Sequence, residues 1–258
     1  MGKIFDLDSP IMRGLSKMAD VMWLNILVLI FALPLIIQQY LMLGALVYDD
    51  QSLIMNYVFW AWIVGIITSI PLGPALTAMH FVLLKIVRDE ESYITKTFFK
   101  SFKENFKQSS ILMMIQFIAG GILVMDFLLM KNAGVVYKYI ITAASIILLM
   151  AAMYIFPLQS KFQNKILGTL KNSFLVAIMA LPKTAAMLVV SLFPVLLYYF
   201  FGLKLVPLLI LIGIAGPGYA CAALYNETFK KFEPKEEEIS EEQELENAIK
   251  KIEDDEKD

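Results

Sequence analysis

The sequence predicts an all-α polytopic membrane protein: a bundle of six transmembrane helices with both termini in the cytoplasm, a cytoplasmic amphipathic helix and an acidic tail. Three observations carry this. Hydrophobic residues make up 59% of 258 positions and charged residues only 18%, with the charges gathered between long apolar runs, a pattern foreign to a soluble domain of this length. Lysine and arginine alternate in density from one inter-helix segment to the next. Hydrophobicity also collapses at Glu233, which divides the chain into an integral membrane helical domain, residues 1–232, and an acidic, largely disordered cytoplasmic tail, residues 233–258. The net charge of −2 conceals this division: 18 basic residues stand against 11 acidic in the first part, and 4 against 13 in the second.

Residues 1–20 mix charge with short apolar groups and read as a helix at the membrane surface. The apolar segment from Val21 outruns the core of a signal peptide and lacks an Ala-x-Ala site, so it is taken as a retained first span. That span covers about Val21 to Ile37 and runs on towards Val47 either as an extension or as a re-entrant piece. Its Asn25 is expected to satisfy a neighbouring helix by hydrogen bonding. The second span, about Tyr57 to Lys85, is long enough to cross a hydrocarbon layer of roughly 30 Å, which needs about 20 helical residues. The others fall at about Ser109–Met130, Val135–Leu158, Thr184–Phe201 and Val206–Tyr225. Between the fourth and fifth, Lys161 to Ala180 forms a cytoplasmic segment whose later half is apolar enough to dip into the membrane.

Orientation follows from the rule that basic short loops stay in the cytoplasm. The N-terminus, the 2–3 loop, the 4–5 loop and the C-terminal region hold 3, 6, 4 and 6 basic residues, whereas the 1–2, 3–4 and 5–6 loops hold 0, 2 and 1. Trp60, Trp62, Tyr198 and Tyr199 lie towards the outer ends of their spans, as an aromatic belt requires.

Two features are candidates for function. In the 2–3 loop, Ile94, Phe98, Phe102 and Phe106 recur every fourth residue while Lys96, Lys100, Lys103 and Lys107 occupy another face. Such a helix fits an anionic inner leaflet or a partner's groove, and equally a dock on the protein's own cytoplasmic face. The second feature is a pair of Pro/Gly interruptions, Pro71, Gly73 and Pro74 in the second span and Gly216, Pro217 and Gly218 in the sixth. Proline frees a backbone carbonyl, and unwound helices of this kind bind substrates in transporters. They also kink and pack helices that bind nothing.

Other chemistry is missing. His80 and Cys221 are the one histidine and the one cysteine, so a disulfide within the chain, a zinc site or a histidine-based triad is not expected. His80, near the inner end of the second span, and Asp126, near the outer end of the third, are too far apart for an acid–base couple, and Asp126 is within reach of Lys131. No phosphate-binding glycine loop, Gly-x-Ser-x-Gly elbow or His-Glu-x-x-His helix occurs. The expectation is a non-enzymatic protein with no cofactor or metal and no nucleic-acid partner. In the tail, Ser240 to Gln243 has capping-box spacing, and Leu245, Ile249 and Ile252 follow at helical intervals.

Several stretches together resemble the YesL-like family of bacterial integral membrane proteins, a domain of unknown function. They are Asp20-Val-Met-Trp-Leu-Asn25, Leu33-Pro34, Gly73 to Ala78, Lys85-Ile-Val-Arg88-Asp89-Glu90 and Phe98-Phe-Lys-Ser-Phe-Lys-Glu-Asn-Phe106-Lys-Gln108. The resemblance runs from residue 1 to about 230 and is strongest over 65–110. The chain departs from the family's pattern in placing roughly 35 residues, Leu35 to Ser69, between the first Leu-Pro and the Gly/Ala-rich second helix. The resemblance implies a plasma-membrane protein often associated with carbohydrate-uptake systems, and no catalytic residues to transfer; a permease or a sensor kinase is the partner that the Phe/Lys helix and the acidic tail suggest. The leading expectation is an accessory protein linked to a carbohydrate-uptake or sensing system through its cytoplasmic face. The alternative is a small-molecule transporter with its site at the two helix breaks.

Overall fold

Long apolar runs with few internal helix breakers give long helices, and the computed structural model shows helices throughout residues 10–44, 54–90, 92–129, 134–162 and 164–233, the residues it describes. No strand occurs among them. In chain order the helices are α1 (Pro10–Gly44), α2 (Ile54–Thr68), α3 (Leu72–Val87), α4 (Ile94–Leu129), α5 (Val135–Lys161), α6 (Ile166–Met179), α7 (Leu181–Phe201), α8 (Val206–Ile212) and α9 (Ala215–Phe229), with a 3₁₀ turn at Gly202–Leu205. By length and composition, α1, α4 and α5 can each cross a membrane, as can the 21-residue α7 within the longer apolar stretch Leu181–Ile212, and α2 with α3, bent by 60° at their break, makes a fifth candidate. This is an all-helical membrane protein.

Two expected boundaries are absent. The N-terminal surface helix and the first span are one helix, α1, whose 35 residues run about 50 Å at 1.5 Å per residue. Beyond Ile37 it continues without interruption to Gly44, which makes that stretch an extension of the same helix. The amphipathic segment and the third span are likewise one helix of 36 residues, α4. No proline or glycine lies between Ile94 and Ala119, so nothing in the backbone stops the helix where the side chains change from charged to apolar.

Chain direction in the last third is fixed by contacts. Ser191 Oγ and Cys221 Sγ lie 3.6 Å apart, whereas an unbroken helix would separate them by about 45 Å. Pro194, Val195 and Tyr198 line one cavity together with Val206, Leu209 and Ile210. α8 and α9 therefore fold back along α7, and the reversal falls at Gly202, whose φ of 58° suits a residue without a Cβ.

The core lies where α3, α4, α5 and α6 meet. Leu112 and Met113 pack with Ile155 and Phe156, and Leu72, Leu76, Phe117, Ile166 and Leu170 close around them. α3 and α4 approach closely because Gly73 has no side chain: a Cβ there would collide with the Ser109 carbonyl oxygen and Met113 Cβ, a small-residue contact typical of membrane bundles. Much of the outward surface is apolar, including Leu192, Phe193, Val195, Leu196, Tyr199 and Phe200 on α7, as a hydrocarbon solvent permits. The chain separates into two compact units, residues 1–226 and 227–258. Within the second, Lys230 pairs with Glu227 at 3.3 Å; the expected capping box and the Leu245, Ile249 and Ile252 face lie outside the described residues.

Candidate functional site

Both Pro/Gly motifs restart a helix. The first interruption spans Ser69 to Pro71, and α3 then begins Leu72-Gly73-Pro74; the second lies at Gly213 and Ile214, and α9 then begins Ala215-Gly216-Pro217. Each Gly-Pro pair thus occupies the second and third positions of a new helix, where a missing amide proton costs nothing. The break in the sixth expected span precedes Gly216, Pro217 and Gly218, and those three lie inside α9.

At both breaks, polar groups freed from the helix are taken up by the chain itself. Asn25, fully buried, donates through Nδ2 to the Ile210 carbonyl at 2.6 Å and accepts at Oδ1 from the amides of Ile214 at 2.8 Å and Ala215 at 2.7 Å. One side chain thus closes the end of α8 and the start of α9, the role expected of it. At the other break, Ser110 Oγ donates to the Ile70 carbonyl at 3.4 Å, Leu72 N donates to Ser69 O, and Thr77 Oγ lies 2.7 Å from Ser109 Oγ.

α3 and α9 are joined lower down. His80 Nδ1 lies 3.2 Å from the Tyr225 hydroxyl, and Arg88 Nε donates to Asn226 Oδ1 at 2.8 Å. Tyr225 was missed as a partner of His80, although each sits near the inner end of an expected span of the same direction. Above this pair is a cavity of about 250 Å³, walled by Leu76, Met79, Phe156, Ile214 and Pro217 and carrying His80, Ser191 and Cys221. Pro217 and Gly218 border it; Pro71, Gly73 and Pro74 do not, and Gly73 faces α4 instead. Asp126 accepts from the Tyr137 hydroxyl at 3.4 Å, and its expected partner Lys131 lies outside the described residues.

The lower part of α4 separates into two faces. Phe98 is fully buried and its ring stacks on Phe31 of α1 with centroids 6.1 Å apart, while the ring of Phe102 packs tilted against Phe31 at 4.4 Å. Ile94 and Phe102 are half-buried, and Phe106 is open at 44%. Lys96, Lys100, Lys103 and Lys107 are all exposed, at positions i, i+4, i+7 and i+11 of one ridge. Internal polar bonds fix the orientation of this ridge: Gln159 Nε2 donates to Gln108 Oε1 at 2.6 Å and Thr169 Oγ1 donates to Gln159 Oε1 at 3.1 Å, tying α4 to α5 and α6.

The turn that feeds α4 is equally well defined. Asp89 N donates to Ile86 O and Glu90 N to Lys85 O, a Schellman ending with Asp89 in the left-handed region at φ 57°. Lys17 of α1 then pairs with Asp89 at 2.6 Å. A cleft of about 550 Å³ opens there, lined by Lys17, Asp20, Asp89, Glu90, Ser92 and Tyr93. Among the described residues no cluster of His, Cys, Asp and Glu could hold a metal ion.

The fold and these sites define an all-helical membrane protein with a lysine ridge continuing one of its long apolar helices. Residues 52–127, from the approach to α2 to near the end of α4, match the family described as protein of unknown function, DUF624. No curated protein and no solved structure matches the chain.

Proposed function

We propose that the protein is a non-enzymatic membrane accessory protein that engages an acidic surface through the Lys96, Lys100, Lys103 and Lys107 ridge. The observation behind this is the division of α4: its aromatic stripe is largely spent on α1, and what it offers outward is charge. A 36-residue helix exceeds the roughly 20 residues needed to cross the hydrocarbon, so its lower third extends past the bilayer. In this reading the chain crosses six times, as α1, α2 with α3, α4, α5, α7, and α8 with α9. Both termini and the lysine ridge lie in the cytoplasm, as the distribution of basic residues favours.

The YesL-like resemblance supports a bacterial plasma-membrane location and a link to carbohydrate uptake or sensing, with a permease or sensor kinase as the acidic partner. Each lysine near an anionic surface contributes about 1 kcal/mol, screened by salt. Changing Lys96, Lys100 and Lys103 to Gln is expected to release whatever co-purifies from membranes at low salt, and to leave the protein's own melting temperature unchanged. Co-purification that persists in the triple variant at low and high salt alike contradicts the proposal.

The small-molecule alternative is favoured by one feature, the cavity bordered by Pro217, Gly218, His80 and Ser191. Pro217→Ala separates the readings. If the proline only starts α9, the variant keeps full function; if it shapes a transport site, activity is lost at normal protein levels.

A further inference from the structure

The polarity of α6 is the reverse of that of a helix lying against water. Thr169 and Ser173 are buried together with Val176 and Ala177. Both hydroxyls are engaged, Thr169 Oγ1 donating to Gln159 Oε1 at 3.1 Å and Ser173 Oγ to the Leu170 carbonyl at 2.7 Å. The opposite face consists of Leu167, Lys171, Leu175 and Ile178, at i, i+4, i+8 and i+11 of one stripe, with Met179 beside it. Leu167, Ile178 and Met179 are 79%, 61% and 69% exposed. α6 packs on α5, with α4 and α7 at its edges. Thr184 of α7 holds its far end, donating to the Ala177 carbonyl at 3.0 Å, so the apolar stripe is turned away from the bundle.

Water is a poor neighbour for such a face, because contiguous apolar side chains gain by leaving it; lipid tails are as apolar as leucine and accept them. A protein partner fits less well than lipid. Lys171 stands in the middle of the stripe, where a protein contact would strip its charge of water without a partner. Beside a bilayer, its long stem carries the ammonium group up to the headgroups. Charge points the same way: residues 161–183 hold four lysines and no carboxylate, and Lys165 and Lys171 are both exposed, as contact with anionic phosphates favours. The 14 residues of α6 run about 21 Å at 1.5 Å per residue, short of a hydrocarbon layer of roughly 30 Å. The helix therefore lies along the bilayer surface and does not cross it.

We propose that α6 is an in-plane helix that binds anionic phospholipid of the inner leaflet: Leu167, Leu175, Ile178 and Met179 enter the acyl layer, and Lys165 and Lys171 meet the phosphates. It rests on the six-crossing reading only in placing α6 on the cytoplasmic side, and it is independent of the lysine ridge of α4. The full-length protein is reconstituted in vesicles of equal parts phosphatidylcholine and phosphatidylglycerol, with bimane attached at Leu167→Cys, Leu175→Cys or Ile178→Cys. The buried Cys221 stays in place, and the unsubstituted chain is the labelling blank. Quenching by doxyl-labelled lipid is compared with quenching by iodide present on both sides of the membrane. The labels at Leu175 and Ile178 are expected to be quenched by lipid and spared by iodide. At Leu167, one turn from Lys171, doxyl phosphatidylglycerol is expected to quench at lower mole fraction than doxyl phosphatidylcholine, by about fivefold for each lysine engaged. Lys165→Gln with Lys171→Gln is expected to abolish that preference while lipid quenching persists. All five positions are exposed, so the substitutions leave the packing intact. Depth reads the same in either leaflet, so an inverted topology, detected separately by thiol labelling in cells, is distinguished from a failure at α6. Quenching of the Ile178 label by iodide, quenching by neither agent, which would mean that protein covers the face, or equal quenching by the two lipids overturns the proposal.

Discussion

Asn25 makes strong bonds to Ile210, Ile214 and Ala215, groups that lie up to 190 residues further along the chain. In a membrane interior no water replaces them, and each backbone group left unpaired is costly. Asn25→Leu is therefore expected to destabilise the protein by about 3 kcal/mol or more, the sum of several unpaired groups at about 1–3 kcal/mol each. Thermal unfolding of the purified protein checks it, and an unchanged midpoint would show that the α8–α9 break does not depend on this side chain. Gly73→Ala acts by crowding. Its Cβ would meet the Ser109 carbonyl, and since backbone cannot yield as a side-chain tip does, a loss of about 1–3 kcal/mol is expected, read in the same assay.

At the scale of the helix, α4 shows why the two halves of the predicted amphipathic motif have different roles. Phe98 is fully buried on α1, so Phe98→Ser is expected to cost about 3–5 kcal/mol, the range for deleting a buried aromatic ring. Normal stability in that variant would mean that α4 is not docked on Phe31. The spacing of Ile94, Phe98, Phe102 and Phe106 made the apolar face legible in the sequence, but not what covers it. Phe31, which does, is more than sixty residues away, and nothing in its own sequence neighbourhood pairs it with this stripe. The boundary expected near Ser109 was misplaced for a related reason: polarity changes there, but helix continuity depends on the backbone, and no residue nearby interrupts it. Prolines and glycines were the better guide. Gly73-Pro74 and Gly216-Pro217 mark both helix restarts, although the breaks themselves fall a few residues earlier, where side chains from other helices take up the freed groups.

For the molecule as a whole, the six crossings proposed above, an even number, would put both ends on one side, and the fold-back at Gly202 is what would separate the fifth crossing from the sixth. Composition alone made the class of protein legible. It could not reveal that Trp62, expected in the aromatic belt, lies with its indole against Gly121 of α4, because that depends on which way one side chain turns. In intact cells, a membrane-impermeant thiol reagent is expected to label Asp50→Cys and to spare Lys100→Cys; the reverse pattern would invert the topology. The most direct measurement of the central claim places a photo-crosslinker at Lys100 in native membranes. A salt-sensitive adduct with an acidic protein or with anionic lipid, lost on changing Lys96 and Lys103 to Gln, is the result expected if the ridge is the working face. An adduct confined to the protein's own chain, or none at any ionic strength, would contradict it.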